Sequence, residues 1–451
     1  MMFAPDERLI IFEGVDAGMA EQFTHIARIL GGGIEEKDVS VRGWIYRTRS
    51  SGKLSFVTVR DSTGVIQVTV ARGAVPEADF ESAKKALIES SVRCAGTVIK
   101  DARAPGGFEI RAKEFKVLGT SDNFPITEYQ SEEHLLNNRH LWIRSQELTR
   151  VMKVKSSVLA SAREWFDKNE FFEVTPPIIT ANSCEGGSTL FELKYFGEKA
   201  YLSQSAQLYL EAIMFSLEKV YALTPSFRAE KSRTTRHLAE YWHLEGEEAF
   251  VGNDENMTIQ EELVSAMVAG AARRNPDELR ALGRDPAELQ KIVPPFKRLS
   301  YDEAVKRLND RGVEFQWGGD LGTNEERVLV EGEEKPVFIF NYPKGVKAFY
   351  MRENPDDSRT YLCADLLAPG GYGEIIGGSE REMDGQKIID RLKAQGSPLE
   401  PYRWYIDLRR FGTVQHSGFG LGIERILRWV CKLEHIRDTI PFPRTINRVY
   451  P

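Results

Sequence analysis

Residues 227–250 read FRAEKSRTTRHLAEYWHLEGEEAF. Arg228, Glu230, Lys231, Arg233 and Arg236 crowd the first ten positions, and Glu240, Tyr241, Trp242, Glu245 and Glu247 then mix acid with aromatic. Upstream, Val220–Phe227 is a hydrophobic strand with Pro225 near its end; downstream, Ala239–Leu244 brings apolar residues back. Two strands joined by a charged loop set several guanidinium groups over one cleft. Arginine offers a planar fork to phosphate oxygens, so the arrangement suits a polyphosphate. Taken alone, the stretch reads equally well as a solvated hairpin.

A second stretch, GFGLGIERI over Gly418–Ile426, tips the balance. Its glycines permit close backbone approach, and Glu424 and Arg425 open a segment with apolar residues at helical spacing. An arginine one turn into such a helix reaches a phosphate beside it. No Gly-Lys-Ser/Thr follows, so this is not a P-loop, and it does not make a dinucleotide fingerprint. A third pair of residues bears on the same chemistry. Asp365 ends an apolar run and Glu374 lies on the next strand, and two carboxylates facing arginines suit a divalent metal bridging phosphates, or simple charge pairing.

The chain of 451 residues has room for one large domain of about 300 residues and a smaller one of about 100. A net charge of −7 does not announce a nucleic-acid partner, which local basic patches would have to meet. Cys94, Cys184, Cys363 and Cys431 are scattered, forming neither a disulfide framework nor a zinc spacing, so a reducing, cytoplasmic setting is expected. No leader is recognisable and no apolar run is long enough to span a membrane.

In chain order, residues 1–37 form an extension of unread role, with a short helix expected over Ala20–Leu30 and stopped by Gly31–Gly33. Residues 38–120 alternate as five short strands, with a helix over Glu77–Leu87 between the third and fourth, which suits a small oligonucleotide-binding barrel. Its exposed candidates are Arg47, Arg49, Lys53, Phe56, Arg60 and Gln67; Phe56 would either stack a base or fill the core. Residues 121–140 are a polar linker, and 141–451 carry the rest.

There, Gln146–Lys168 is a long amphipathic helix, the run FFEVTPPIIT reads as one strand, and its Pro176-Pro177 pair excludes a central ladder position, pointing to an edge or a subunit contact. Residues 183–188 read as a polar lid loop. Ser205 and Gln207 sit at a helix start where free N–H groups hold a small polar ligand. Glu255–Arg274 is helical, Asn275–Gln290 reads as an acidic polar insert, and strands are expected over PVFIFNYP, AFYMRE, YLCADLLAP and YGEIIGGSER. Many strands with few crossover-sized gaps give an α+β class: a large, mainly antiparallel sheet flanked by helices.

The segments around Pro177, Arg228 and Arg425 resemble, in order, the three signature motifs of class II aminoacyl-tRNA synthetases. With its N-terminal OB-fold barrel the chain is similar to the aspartyl/asparaginyl/lysyl subgroup. EGGSTLF, YLSQSAQLYLE, GEIIGGSER, SGFGLGIER and HIRD…PR resemble its asparaginyl branch of archaeal and eukaryotic cytosolic type, over about Val39–Pro451.

That resemblance implies ATP and Mg2+, with tRNA(Asn) and L-asparagine as partners. It puts Arg228 on the α-phosphate, Glu230 by the adenine amino group or the tRNA end, His237 at the outer phosphates, and Tyr241 and Arg425 on the two faces of adenine, with Arg425 also reaching the γ-phosphate. Asp365 and Glu374 would hold the metal; Glu185, Ser205 and Gln207 the amino acid's α-groups; Arg381 and Glu245 its side chain. Phe56 and Gln67 would contact anticodon bases, and Pro176-Pro177 would lie in a homodimer interface.

Leu210 stands where aspartyl relatives carry a lysine, which removes a cation that would pair with aspartate, and Gly377 stands where they carry a serine. Three other functions remain open from residues alone: an aspartyl-charging enzyme, an ATP-dependent asparagine synthetase on this fold, and a binding protein with an inactive catalytic domain.

Overall fold

The computed structural model describes residues 23–127, 129–184, 190–231 and 234–451. Two compact units divide at residue 130.

In the first, strands Asp38–Ser51, Leu54–Arg60, Val65–Ala71, Phe108–Gly119 and Ser91–Lys100 follow one another around a closed barrel. All pairings are antiparallel except Val65–Ala71 with Phe108–Gly119. Period-two alternation sends Val57, Val59, Ile66, Val68 and Val70 inward, and Phe56, Thr58, Arg60, Gln67 and Thr69 to the other face. Gly43 is required where strands cross, since a Cβ there would lie 2.1 Å from the Arg60 carbonyl oxygen. The helix Glu77–Lys85, preceded by Pro76, buries Phe80 and Ala83 against the barrel.

Barrel packing begins ahead of residue 38. A short helix, Ile26–Leu30, drives Ile26 and Ile29 fully into the barrel core, and Asp61 accepts from the Ile26 N–H. The part of the expected helix before residue 23 lies outside the described residues.

The second unit holds an eight-stranded sheet in the order 297–300, 337–340, 363–368, 373–380, 416–422, 240–249, 219–227, 172–173. Its centre is antiparallel and both outermost pairs are parallel, so the sheet is mixed but mainly antiparallel, as its class predicts. The helices Gln146–Lys168, Asn253–Arg274 and Ile423–Val430 contribute to its largest core. Val151, Val154, Val158 and Phe166 meet Met267, Val268, Leu366, Ile376 and Leu421 there. Ser145 caps the first of these helices by accepting from Leu148 N–H.

Three local expectations need correction. Asn275–Gln290 is not a surface insert: it forms helices Pro276–Ala281 and Pro286–Gln290, whose Leu279 and Leu289 are buried in that core. AFYMRE is not a strand; residues 348–353 make only isolated bridges, and Phe349 and Tyr350 fold inward as cavity lining. The Pro176-Pro177 segment is not one strand but a break between Phe172–Glu173, at the sheet's outer edge, and Ile179–Thr180, in a separate three-stranded sheet.

Candidate active site

A cavity of about 590 Å³ opens over the sheet in the second unit. One end is built by the hairpin of strands Lys219–Phe227 and Glu240–Ala249. Phe227 pairs with Glu240, and Arg228 N–H donates to the Ala239 carbonyl, so the charged loop closes on its own base. The Arg228 guanidinium stands 5.5 Å from the Tyr241 ring centroid, within cation–π range. His237 Nδ1 meets Thr234, its Nε2 lies 3.8 Å from Glu230, and burial with Arg425, Arg236 and Arg228 nearby lowers its proton affinity.

Arg425, on the helix after Gly422, donates to the Glu374 carbonyl at 3.2 Å and pairs with its carboxylate at 3.2 Å. Asp365 and Glu374 converge from neighbouring strands across Gly377: a Cβ there would lie 3.5 Å from Oδ1 of one and Oε1 of the other. A serine at 377 would add an oxygen between two carboxylates. Burial pushes both carboxyls up. Around Glu374, Arg425, Lys347, Arg228 and Arg236 reverse the shift and hold it at about 2; at Asp365 burial wins over Lys347, leaving it raised.

Lys347 was not singled out in the sequence. Its Nζ lies 2.6 Å from Asp365 Oδ2 and 3.9 Å from the Tyr342 ring centroid. Glu326 was also missed: from helix Thr323–Leu329 it pairs with Arg236 and accepts from Glu374 N–H. Both are ordinary surface residues by type, and only distant pairing brings them here.

At the other end, Ser205 and Gln207 lie where the helix Gln207–Leu217 begins. Ser205 Oγ donates to Glu245, which also accepts the Ala206 N–H at 2.8 Å; Gln207 N–H donates to Ser205 Oγ at 3.1 Å. Glu245 therefore holds the turn that presents Ser205. Arg381 donates through Nε and Nη2 to Glu247 and through Nη1 to Ser379 Oγ at 2.6 Å, with the Tyr350 ring 5.3 Å away. Glu185 falls outside the described residues. Leu210 does not line the cavity; it is fully buried with Met214, Val220 and Ala222.

On the barrel, Phe56 is half-buried on the face opposite the core, with the Arg49 guanidinium 4.7 Å from its ring centroid. Gln67 is on the same face, donating to Glu109 Oε2 at 3.0 Å. Arg60 is committed to Glu89 through both carboxylate oxygens.

Among the described residues no helix is long and apolar enough to cross a membrane, and the four cysteines are buried and unbridged.

The chain is 52% identical to an asparagine–tRNA ligase of Thermococcus gammatolerans over 93% of this chain and 97% of that protein. It superposes with a TM-score of 0.90 on the asparaginyl-tRNA synthetase of Pyrococcus horikoshii complexed with asparaginyl-adenylate, at 51% identity over 93% and 97% of the two chains. The Entamoeba histolytica asparaginyl-tRNA synthetase in complex with asparaginyl-adenylate gives 0.84 at 34% identity, over 93% and 98%. Residues 39–118 match the family model of OB-fold nucleic acid binding domains. Residues 131–446 match the model of class II tRNA synthetases for D, K and N, and the chain belongs to that family.

Proposed function

We infer that this chain is an ATP-dependent asparagine–tRNA ligase. The observation that carries this reading is the gathering of Arg228, Asp365, Glu374 and Arg425 in one cavity with Ser205, Gln207 and Arg381. Residues up to 220 positions apart in sequence, Ser205 and Arg425, meet there, as polyphosphate and amino-acid chemistry in one site requires.

In the first step a carboxylate oxygen of asparagine attacks the α-phosphorus of ATP, and pyrophosphate leaves as asparaginyl-adenylate forms. In the second, the 3′-terminal ribose hydroxyl of tRNA(Asn) attacks the acyl carbon and AMP departs. No protein nucleophile is needed; positioning and charge neutralisation supply the acceleration. Arg228 meets the charge that builds on the α-phosphate. Tyr241 and Arg425 enclose the adenine, His237 approaches the outer phosphates, and Glu230 faces the adenine amino group or the tRNA end. Ser205 and Gln207, with Glu185, hold the amino acid's α-groups, while Arg381 and Glu245 serve its side chain.

Asp365 and Glu374 fit Mg2+: two carboxylates converging on one point supply hard oxygen donors and leave room for phosphate oxygens and water. Bound there, the ion would neutralise phosphate charge. Phe56 and Gln67 are assigned to anticodon bases. Exposed Phe172, Ile178 and Ile179 flank the Pro176-Pro177 segment, which supports a homodimer contact.

Pyrophosphate exchange with asparagine and aspartate side by side tests the reading, followed by charging of purified tRNA(Asn). Exchange with asparagine and charging of that tRNA are expected; stronger exchange with aspartate would overturn it.

A further inference from the structure

Directly behind the amino-acid end of the cavity, one turn along the helix from Gln207, lies Glu211, with no exposed surface. Its carboxylate accepts from Arg409 Nη2 at 2.5 Å, from Tyr405 OH at 2.9 Å on both oxygens, and from Gln207 Nε2 at 3.0 Å. His416 Nε2 stands at 3.2 Å and Arg381 Nε at 3.9 Å. Two of the residues assigned to the amino acid, Gln207 and Arg381, are thus braced by one buried anion that does not line the cavity.

The effect on Arg381 follows from counting. Its guanidinium is already gripped by Glu247 through two donors and by Ser379 through a third. Glu211 adds a second carboxylate on the same cation. Burial and Glu211 also push the Glu247 carboxyl upward, against the pull of Arg381, so this floor disfavours any further negative charge. A side-chain amide entering here brings a carbonyl oxygen for a remaining Arg381 N–H and an NH2 for a carboxylate. A side-chain carboxylate brings a further anion to a guanidinium that is already answered twice, in a buried setting where unpaired charge is costly.

We propose that Glu211 is a specificity-determining residue: its buried carboxylate, held by Arg409 and Tyr405, keeps the floor of the amino-acid pocket anionic and thereby admits the amide side chain and rejects the carboxylate. This rests on the asparagine-charging reading above. It also relocates the discrimination from Leu210, which packs in apolar surroundings away from the cavity, to its neighbour in sequence. Glu211 acts through Arg381 and Gln207 and touches no reacting atom.

The test uses the full chain and two non-reacting probes, the asparaginyl and aspartyl sulfamoyl analogues of the adenylates, with Kd measured by calorimetry. Wild type should bind the asparaginyl probe more tightly; preference for the aspartyl probe would sink the functional reading and this proposal with it, whereas the variants below test the proposal alone. Glu211→Gln keeps the shape and removes the charge, and should narrow the ratio of the two Kd values by about tenfold. The double variant Glu211→Gln/Arg409→Gln removes one charge of each sign and should return most of the discrimination. An unchanged ratio in Glu211→Gln, or equal weakening of both probes, would show a merely structural role and overturn the proposal. If thermal unfolding shows that Glu211→Gln does not fold, Arg409→Gln alone decides: a more anionic floor should widen the ratio, and an unchanged or narrowed ratio overturns it.

Discussion

The two ends of the cavity solve opposite electrostatic problems with the same residue types. At the end proposed for the nucleotide, Arg228, Arg236, Lys347 and Arg425 face the cavity, and the carboxylates among them, Asp365 and Glu374, each carry a cation at contact distance. At the amino-acid end, Arg381 is locked into Glu247 and Ser379 with Glu211 behind it. A triphosphate brings several negative charges and needs cations that can be reassigned to it. A neutral amide brings none, and needs donors and acceptors that stay fixed. The first end sets four cations against the carboxylates Asp365, Glu374 and Glu326, whereas the second sets Glu247 and Glu211 on Arg381, and the charge of the proposed ligand explains the difference.

The largest expected effect therefore falls at the nucleotide end. Arg228→Ala should lower asparagine-dependent pyrophosphate exchange by about 10³-fold, because the proposed role sets the guanidinium against charge that appears only in the transition state. Thermal stability should barely change, since its backbone bond to Ala239 survives. Near-normal exchange would remove Arg228 from its role. A smaller loss is expected at the other end from Arg381→Lys. An ammonium cannot keep both Glu247 oxygens and Ser379, so kcat/KM for asparagine should fall by about 10²-fold, chiefly through KM. A fall in kcat alone, with KM for asparagine unchanged, would argue that the tight pairing serves chemistry and not recognition.

A third variant isolates the barrel from both ends. Phe56→Ala should weaken tRNA charging by about tenfold, the worth of one stacked base, and leave pyrophosphate exchange untouched. Parallel losses in both assays would show that the substitution damages the fold, and that Phe56 packs more than it stacks.

Local pattern made the frame legible. Alternation marked the barrel strands, helical spacing marked Gln146–Lys168, and the charged loop between two apolar strands marked the hairpin that ends in Arg228. Pattern failed where burial runs against composition. Asn275–Gln290 looks polar by count, yet its few apolar side chains, Leu279 and Leu289, point one way and fill the core. The AFYMRE segment is apolar and aromatic enough for a short strand, but its aromatic residues turn in to line the cavity instead of pairing in the sheet. The amino-acid end was the least legible part, because its bonds span the chain: Glu211 to Arg409 crosses 198 residues and Arg381 to Glu247 crosses 134. Nothing near Glu211 in sequence distinguishes it from a surface glutamate one turn into a helix.

The smallest effect separates the charge of the pocket floor from burial in general. Glu247 and Glu248 are neighbours on one strand and face opposite sides of the sheet; both are buried. Glu248 has neither an arginine fork nor a place in the cavity. Burial, with Glu255 adding to it and Lys219 opposing, raises its carboxyl from 4.5 to about 8. A carboxyl with a raised folded-state pKa binds its proton more tightly folded than unfolded. Its cost is absent below pH 4.5, grows as pH rises, and is complete above about 8. Glu248→Gln should therefore leave stability at pH 4 unchanged and raise it above pH 8 by something on the order of 3 kcal/mol, read as a higher Tm for the catalytic unit. Because burial also raises the carboxyls of Glu247, Glu245, Glu326 and Asp365, the slope of Tm with pH should fall and not vanish. Relative binding of the asparaginyl and aspartyl probes should not move at all. A shift in that ratio on neutralising Glu248, whose side chain is turned away from the cavity, would mean that discrimination reads the summed charge of the strand and not the anion beneath Arg381.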